Sequence, residues 1–259
     1  MTPSPSAASA VIGILGGMGP YAGVDLARRV LDETVASRDQ DHIPCILHNA
    51  TQIPDRTAFL LGKASTDPAR PMANALLEMA HSGATTAGIA CNTAHADPIF
   101  NAVRDRLKKD GTDMVLFHII DETVLAIRRH FPDAKTIGIL GTQGTYRFRL
   151  YDRRIERAGL RALLPPQSVR DGLLNDAIYH SEWGIKARSR PVTREARDAV
   201  AKAADGLLQA GADLVVLGCT ELPLAAPTTG PVASRLVDAT RMLARALVGH
   251  AAPDRLRPF

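Results

Sequence analysis

The chain has 259 residues, 46% of them hydrophobic but only 4% aromatic, so its core must come from Ala, Val, Leu and Ile, as when helices pack on a parallel sheet. Its net charge of +4 arises from 31 basic and 27 acidic residues that are interspersed, which reads as a solvated surface and speaks against nucleic acid as a partner; the basic cluster at 147–157 fits one exposed helix face. No apolar run reaches membrane-spanning length, and three scattered cysteines make neither a disulfide framework nor a CxxC metal site, so free thiols in a reducing, cytoplasmic compartment are expected.

Residues 1–10, rich in Pro, Ser and Ala with no basic start and no apolar centre, read as a disordered leader. Residues 11–15 form a compact apolar run closed by Gly16-Gly17-Met18-Gly19-Pro20, after which Ala22, Leu26, Ala27, Val30 and Leu31 recur at helical spacing. This is a strand, a glycine loop and a helix. The loop lacks the G-x-G-x-x-G dinucleotide fingerprint; it is a tight turn, or a helix N-terminus whose free amides receive a carboxylate. Residues 43–49 read as a second strand with Cys45 as a buried packing residue, and 50–56 as the loop at its carboxyl end. Pro71 opens a helix over 72–81 that Ser82-Gly83 ends. A short strand then runs into Cys91-Asn92-Thr93-Ala94-His95, followed by a helix from 95–98 through 106, a strand at 114–118, and a helix over 122–131 opened by Asp121.

There the pattern restarts. I-G-I-L-G at 12–16 returns at 137–141, an offset of 125; the apolar run into Cys91 returns before Cys219, an offset of 128; and Ile119-Ile120-Asp121 matches Leu236-Val237-Asp238, an offset of 117. Three ordered matches point to an internal duplication. The second half reads as strand 137–141, helix 147–158, a less regular stretch 160–192, helix 193–210, strand 213–218 and a final helix from 238. The expected fold is α/β: two similar three-layer domains with mainly parallel sheets, related by a pseudo-two-fold axis. The first takes 11–118 plus the last helix, 239–259, and the second 119–238. The site should lie in the cleft between them, at the carboxyl ends of the strands, where Met18, Gln52, Cys91, Thr142 and Cys219 all fall.

Cysteine is the feature the halves share; His95 follows Cys91 at four residues, but Thr220-Glu221 follows Cys219. A thiolate and a thiol on opposite sides of a carbon can take a proton from one face and deliver one to the other, inverting the centre. Thiols, at about 8.5, titrate nearer neutral pH than lysine ammonium groups, and helix-start amides beside Asn92, Thr93 and Thr220 favour the thiolate. The carbanion beside a carboxylate needs convergent donors, for which Asn92, Thr93, Thr142, Thr145 and Thr220 are suited. No lysine has a pyridoxal-phosphate context, so no cofactor is expected. Buried cysteine is common merely because it packs as a small hydrophobe, and recurrence at matched strand ends is what gives this pair chemical meaning. His95 reads as a helix-start residue, and Glu221 either as a helix cap or as a partner for a substrate ammonium group.

These residues resemble the aspartate/glutamate racemases, amino-acid racemases that work without pyridoxal phosphate, and are most similar to aspartate racemase. The resemblance rests on I-G-I-L-G-G-M-G-P at 12–20, D-Q-D-H-I-P at 39–44, Q-I-P-D-R-T at 52–57, A-C-N-T-A-H at 90–95, G-I-L-G-T at 138–142 and G-A-D-L-V-V-L-G-C-T-E-L at 211–222. It implies a two-domain, often homodimeric enzyme with Cys91 and Cys219 as the acid/base thiols. By the same match Met18, Gln52, Asn92, Thr93, Thr142, Thr145 and Thr220 line the substrate pocket. Arg56 would bind a substrate carboxylate, Glu221 the amino group, and Lys186 is the candidate for the lysine that assists the side-chain carboxylate in some members. Two other readings compete: an enzyme like the related maleate isomerases, with one cysteine as nucleophile, and a non-catalytic dicarboxylate-binding protein.

Overall fold

A computed structural model describes residues 10–259. The leader expected over residues 1–10 falls almost wholly outside them. Two four-stranded parallel sheets carry the fold. The first has the order β2-β1-β3-β4, from β1 (Ile12–Gly16), β2 (Cys45–Asn49), β3 (Thr86–Ile89) and β4 (Val115–Phe117). The second repeats that order as β6-β5-β7-β8, from β5 (Thr136–Leu140), β6 (Arg161–Leu163), β7 (Leu214–Leu217) and β8 (Leu236–Asp238). Among the helices, α1 (Pro20–Asp32), α2 (Arg56–Leu60), α3 (Ala69–His81), α4 (Asp97–Lys109) and α5 (Ile119–His130) precede β5. Seven follow it: α6 (Gln143–Arg147), α7 (Asp152–Arg157), α8 (Leu174–Tyr179), α9 (Arg194–Gln209), α10 (Leu222–Ala225), α11 (Gly230–Ala233) and α12 (Ala239–Ala251).

The central strands β1, β3, β5 and β7 are buried along their whole length, which is why they read as unbroken apolar runs. In β1 the alternation assigns the two faces: Ile12 and Ile14 pack with Leu26 and Val30 of α1, while Leu15 packs with Met72, Leu76 and Met79 of α3. Each such fully buried aliphatic side chain contributes about 1.5–3 kcal/mol. The final helix α12 lies against α1, α5 and β3, so closely that a Cβ on Gly88 would sit 3.0 Å from Leu243 and Leu247.

The duplication holds in the register. Ile12 pairs with Thr86 in the first sheet and Ile137 with Leu214 in the second, the positions that offsets of 125 and 128 require. Gly13 lies against Met79 and Ala84, and Gly138 against Leu207 and Ala212, again 128 residues on. The third sequence match is slipped by three. His118 caps α5 by accepting from the Asp121 N–H, and Asp238 caps α12 by accepting from the Thr240 and Arg241 N–H groups, so the true offset there is 120.

Other expectations need correction. The helix over 147–158 is two helices, α6 and α7, broken where Arg149 takes a φ of 51°. That conformation is costly for a non-glycine residue, and here Asp152 and Glu156 pair with the Arg149 guanidinium. The break turns Leu150 and Tyr151 inward. Arg154 in the basic cluster leaves the exposed face as well, reaching Asp97 and Asp121 of the first half. The stretch 160–192 contains β6, a π-helical turn (Val169–Leu173) and α8. Cys45 is exposed, because β2 is an edge strand whose alternate residues Cys45, Leu47 and Asn49 face solvent.

Behind β3 His95 is buried and His118 mostly buried, and burial disfavours the charged form of both rings. His95 is 0% exposed and lies between Phe100 and His118 at ring distances of 4.9 and 4.7 Å. Burial, with His118 adding, pushes its pKa well down; burial and then Arg154 push that of His118 down to about 4. Below pH 6.5 the unfolded imidazoles take up protons that the folded ones refuse, so the stability these rings provide is complete above pH 6.5 and is lost as pH falls toward 4. For His118 the loss is on the order of 3 kcal/mol. Urea midpoints should therefore fall across this window, and His118→Asn, which retains a capping side chain, should flatten the fall. An identical slope in that variant would remove the explanation.

Candidate active site

Both cysteines stand just past the ends of equivalent central strands. Cys91 follows β3 through a tight turn in which its N–H donates to Ile89 O at 2.8 Å, and the short 3-10 helix Thr93–His95 begins directly after Asn92. The His95 ring closes this turn, Nδ1–H donating to Cys91 O at 2.9 Å. Cys219 follows β7 through Gly218, whose N–H donates to Leu140 O at 2.6 Å; a Cβ here would lie 2.9 Å from both that oxygen and the Tyr151 ring. Cys91 and Cys219 are 5% and 6% exposed, and both line one pocket of about 150 Å³. That is below the range of drug-sized sites and suits a very small ligand.

Contacts across the pocket preserve the symmetry. A Cβ on Gly19 would meet Glu221 Oε1 at 2.9 Å, and one on Gly144 would meet Thr57 Oγ1 at 2.9 Å and Thr93 Cγ2 at 3.4 Å. Gly19 and Gly144 are 125 residues apart, and Thr93 and Glu221 are 128 apart. The glycine loop of each half thus abuts the residue two past the cysteine of the other half. In addition, Thr220 Oγ1 donates to Ala90 O at 3.2 Å across the same boundary.

The surroundings of the two thiols are unlike. Cys219 Sγ–H donates to Glu221 Oε2 at 3.0 Å, while Glu221 Oε1 is paired with Lys186 Nζ. Burial, reinforced by the Glu221 charge, pushes the Cys219 thiol well up, with Lys186 opposing. Burial is the largest single influence on the Lys186 ammonium and works against it, but Glu221, Cys219 and Cys91 together outweigh it, and its pKa is raised. On the other side stands Arg56. Its Nη groups donate to Met18 O at 3.1 Å and Pro54 O at 3.0 Å, while its buried Nε has no protein partner. Burial opposes the guanidinium charge, and Cys91, Asp55 and Glu221 more than offset it. Asn92, 3% exposed, accepts from Tyr151 OH at 2.6 Å through Oδ1 and leaves a buried Nδ2 unpaired.

Of the residues expected from sequence, Met18, Arg56, Cys91, Asn92, Thr93, Thr142, Lys186, Cys219, Thr220 and Glu221 line the pocket together. Gln52 does not. The turn after β2 points Ile53 inward at 6% exposure, which leaves Gln52 outside in a shallow depression with His48, Asn74 and Glu78. Thr145 lies behind the wall, forming a capping box with Thr142 and donating to Gly218 O at 3.3 Å. Asp55, Thr57, Tyr179 and Gly218 line the pocket without having been expected. Asp55 and Thr57 flank Arg56 in Q-I-P-D-R-T, and the aspartate is the N-cap of α2, a role its position before a helix could have signalled. Tyr179 ends α8 inside the less regular stretch 160–192.

Gly19 itself can be tested. Its φ of −99° suits any residue, so Gly19→Ala adds no backbone strain and its cost in stability should stay at about 1–3 kcal/mol, set by the contact of the methyl with Glu221. The added methyl presses on Glu221, and catalytic efficiency should fall by roughly tenfold because a small misplacement at the reacting centre is costly. Unchanged kinetics and unchanged stability together would contradict the close approach.

Comparison with known proteins places this geometry. The fold is similar to that of an aspartate racemase from Picrophilus torridus, with 25% identity, a TM-score of 0.77 and coverage of 93% of this chain and 94% of that one. An aspartate racemase homologue from Pyrococcus horikoshii superposes with a TM-score of 0.70 at 22% identity, covering 93% and 98% of the two chains. A glutamate racemase from Francisella tularensis, in complex with D-glutamate, gives 0.59 at 14% identity over 96% and 84%. In sequence, an uncharacterised protein of Pectobacterium carotovorum is 29% identical over 109 residues, spanning 42% of this chain and 66%, just under two thirds, of its own length. The model of the Asp/Glu/Hydantoin racemase family matches residues 15–247, from the end of β1 into α12. The chain belongs to that family.

Proposed function

We propose that this protein is a racemase acting on aspartate or glutamate without a cofactor, by proton transfer between two cysteines at Cα. The observation that carries the reading is the shared pocket: Cys91 and Cys219, one from each half, line it along with Arg56, Lys186 and Glu221. The unpaired donors Asn92 Nδ2 and Arg56 Nε call for an anion, and a dicarboxylic amino acid has two to offer. Arg56 takes one carboxylate with Lys186 assisting; Asn92 and Thr93, with Thr142, Thr220 and the neighbouring amides, hold the other, where charge develops when Cα is deprotonated.

In the forward sense the Cys91 thiolate removes the Cα proton and becomes a thiol. Cys219, kept protonated by burial and by Glu221, gives its proton to the opposite face and becomes a thiolate. That leaves a thiol at Cys91 and a thiolate at Cys219, which is the form that turns over the product enantiomer. Lys186, already beside Glu221, steadies the new thiolate. The substrate ammonium group competes with Lys186 for Glu221, and the freed lysine then faces the substrate's side-chain carboxylate. We further propose a cytoplasmic location, since the reaction needs both thiols reduced, and a homodimer, as the family resemblance implies.

Incubation with L-aspartate or L-glutamate in deuterated water is the test. We expect the D-enantiomer with deuterium at Cα. Neither product appearing from any acidic amino acid would sink the assignment, and a trapped covalent adduct on one cysteine without Cα exchange would favour a nucleophilic isomerase.

A further inference from the structure

We propose that Tyr151 is a positioning residue for the reaction: its hydroxyl fixes the Asn92 amide with Nδ2 turned to the substrate, and its ring sets where Cys219 stands. The proposal rests on the functional reading above and assigns it a residue that does not line the pocket.

Tyr151 sits at the break between α6 and α7 and is 0% exposed, the bulkiest of the fully buried side chains. A tyrosine hydroxyl without water needs a partner, and in the other half it donates to Asn92 Oδ1 at 2.6 Å, with the Thr123 side chain also beside it. Burial pushes the hydroxyl pKa far up, so the proton stays on the oxygen and the group remains a donor. An amide has one acceptor and one donor end, and a donor aimed at it selects Oδ1. The NH2 end is thereby left buried and unpaired, on a residue that lines the pocket next to Cys91. Leaving a buried donor unsatisfied costs about 1–3 kcal/mol. The substrate carboxylate removes that cost when it binds.

The ring does a second job. Tyr151 Cε2 would be 2.9 Å from a Cβ on Gly218, so backbone and ring are in direct contact immediately before Cys219. One side chain therefore touches Asn92, the residue after the first cysteine, and Gly218, the residue before the second. The broken helix is what delivers it: a continuous helix, as in α1, would have no inward turn at 148–151, and Arg149 accepts a left-handed φ so that Tyr151 can enter.

Tyr151→Phe keeps the ring and removes only the hydroxyl. The amide is then free to flip, and roughly a tenfold rise in KM for aspartate should accompany a smaller change in kcat. Asn92→Ala should lose more, and Tyr151→Phe added to Asn92→Ala should change nothing further, because the hydroxyl acts through the amide. Asn92→Asp, which keeps the acceptor for Tyr151 but presents a charge to the substrate, should raise KM above that of Asn92→Ala. Calorimetric binding of succinate, a dicarboxylate that cannot racemise, should follow the same order and gives a readout independent of turnover. Multiplicative losses in the double variant, or a Tyr151→Phe protein within twofold of wild type in both KM and succinate affinity, overturn the proposal. Wild-type protein that binds succinate but exchanges no Cα hydrogen removes the racemase reading while the binding order still decides Tyr151; wild type that neither binds nor exchanges removes both.

Discussion

Cys91→Ser and Cys219→Ser should each lower kcat/KM for racemisation by roughly 10²- to 10⁴-fold, the range for a single acid/base group. Serine is close in size, so the pocket is retained and the cost in stability should stay below ~1.5 kcal/mol. What serine cannot supply is a proton donor and acceptor that titrates near neutral pH. The losses should differ in kind, because Cys219 rests protonated against Glu221 while Cys91 faces Arg56. With Cys219→Ser the remaining thiolate still reaches the enantiomer whose hydrogen faces it, so slow wash-in of deuterium without inversion should persist for that enantiomer alone. Normal turnover in both directions for either variant would eliminate the two-thiol scheme, as would an equal, small loss in both that tracks stability.

Arg56→Met should cost roughly 10²-fold or more in kcat/KM for aspartate, since removing one side of a buried charge contact costs about 2–5 kcal/mol. The methionine keeps the stem and removes the donors. The Arg56 guanidinium is anchored by the carbonyls of Met18 and Pro54, which fixes the direction in which its remaining donors point. Lysine offers a point charge without the planar fork, so Arg56→Lys should recover little. The loss should be much smaller for alanine, which has no second carboxylate. Equal losses for aspartate and alanine would mean that Arg56 only shapes the pocket or the Cys91 side, and would withdraw its role in recognising the side chain.

The central strands were legible because burial on both faces forces an unbroken apolar run, and because the run occurs twice. From β1, β3, β5 and β7 came the duplication and the placing of both cysteines. The edges were less legible for the same physical reason: β6 and β8 are three residues long and only partly buried, so nothing in their pattern separates them from loop. The register slip of three at 118 and 238 follows, since Ile119-Ile120-Asp121 looks like Leu236-Val237-Asp238 although one begins a helix and the other is a strand. Arg149 hid the helix break, for no arginine announces a positive φ. Gln52 and Thr145 illustrate how a motif fixes a neighbourhood but not a direction: Ile53 claims the inward position beside Gln52, and the capping box claims the Thr145 hydroxyl. Tyr151 gave no sign at all, because its partner is 59 residues away across the cleft.

The duplicated halves place a cationic neighbour at one sulfur and an acidic one at the other, and this lopsidedness has a limit set by thermodynamics. Mirror-image molecules have equal free energies in water, so a racemase must settle at a one-to-one mixture and show the same kcat/KM in both directions. Whatever Glu221 and Arg56 do to favour one protonation form over the other, they can only trade affinity against turnover. The two enantiomers should therefore differ in KM and in kcat by a common factor.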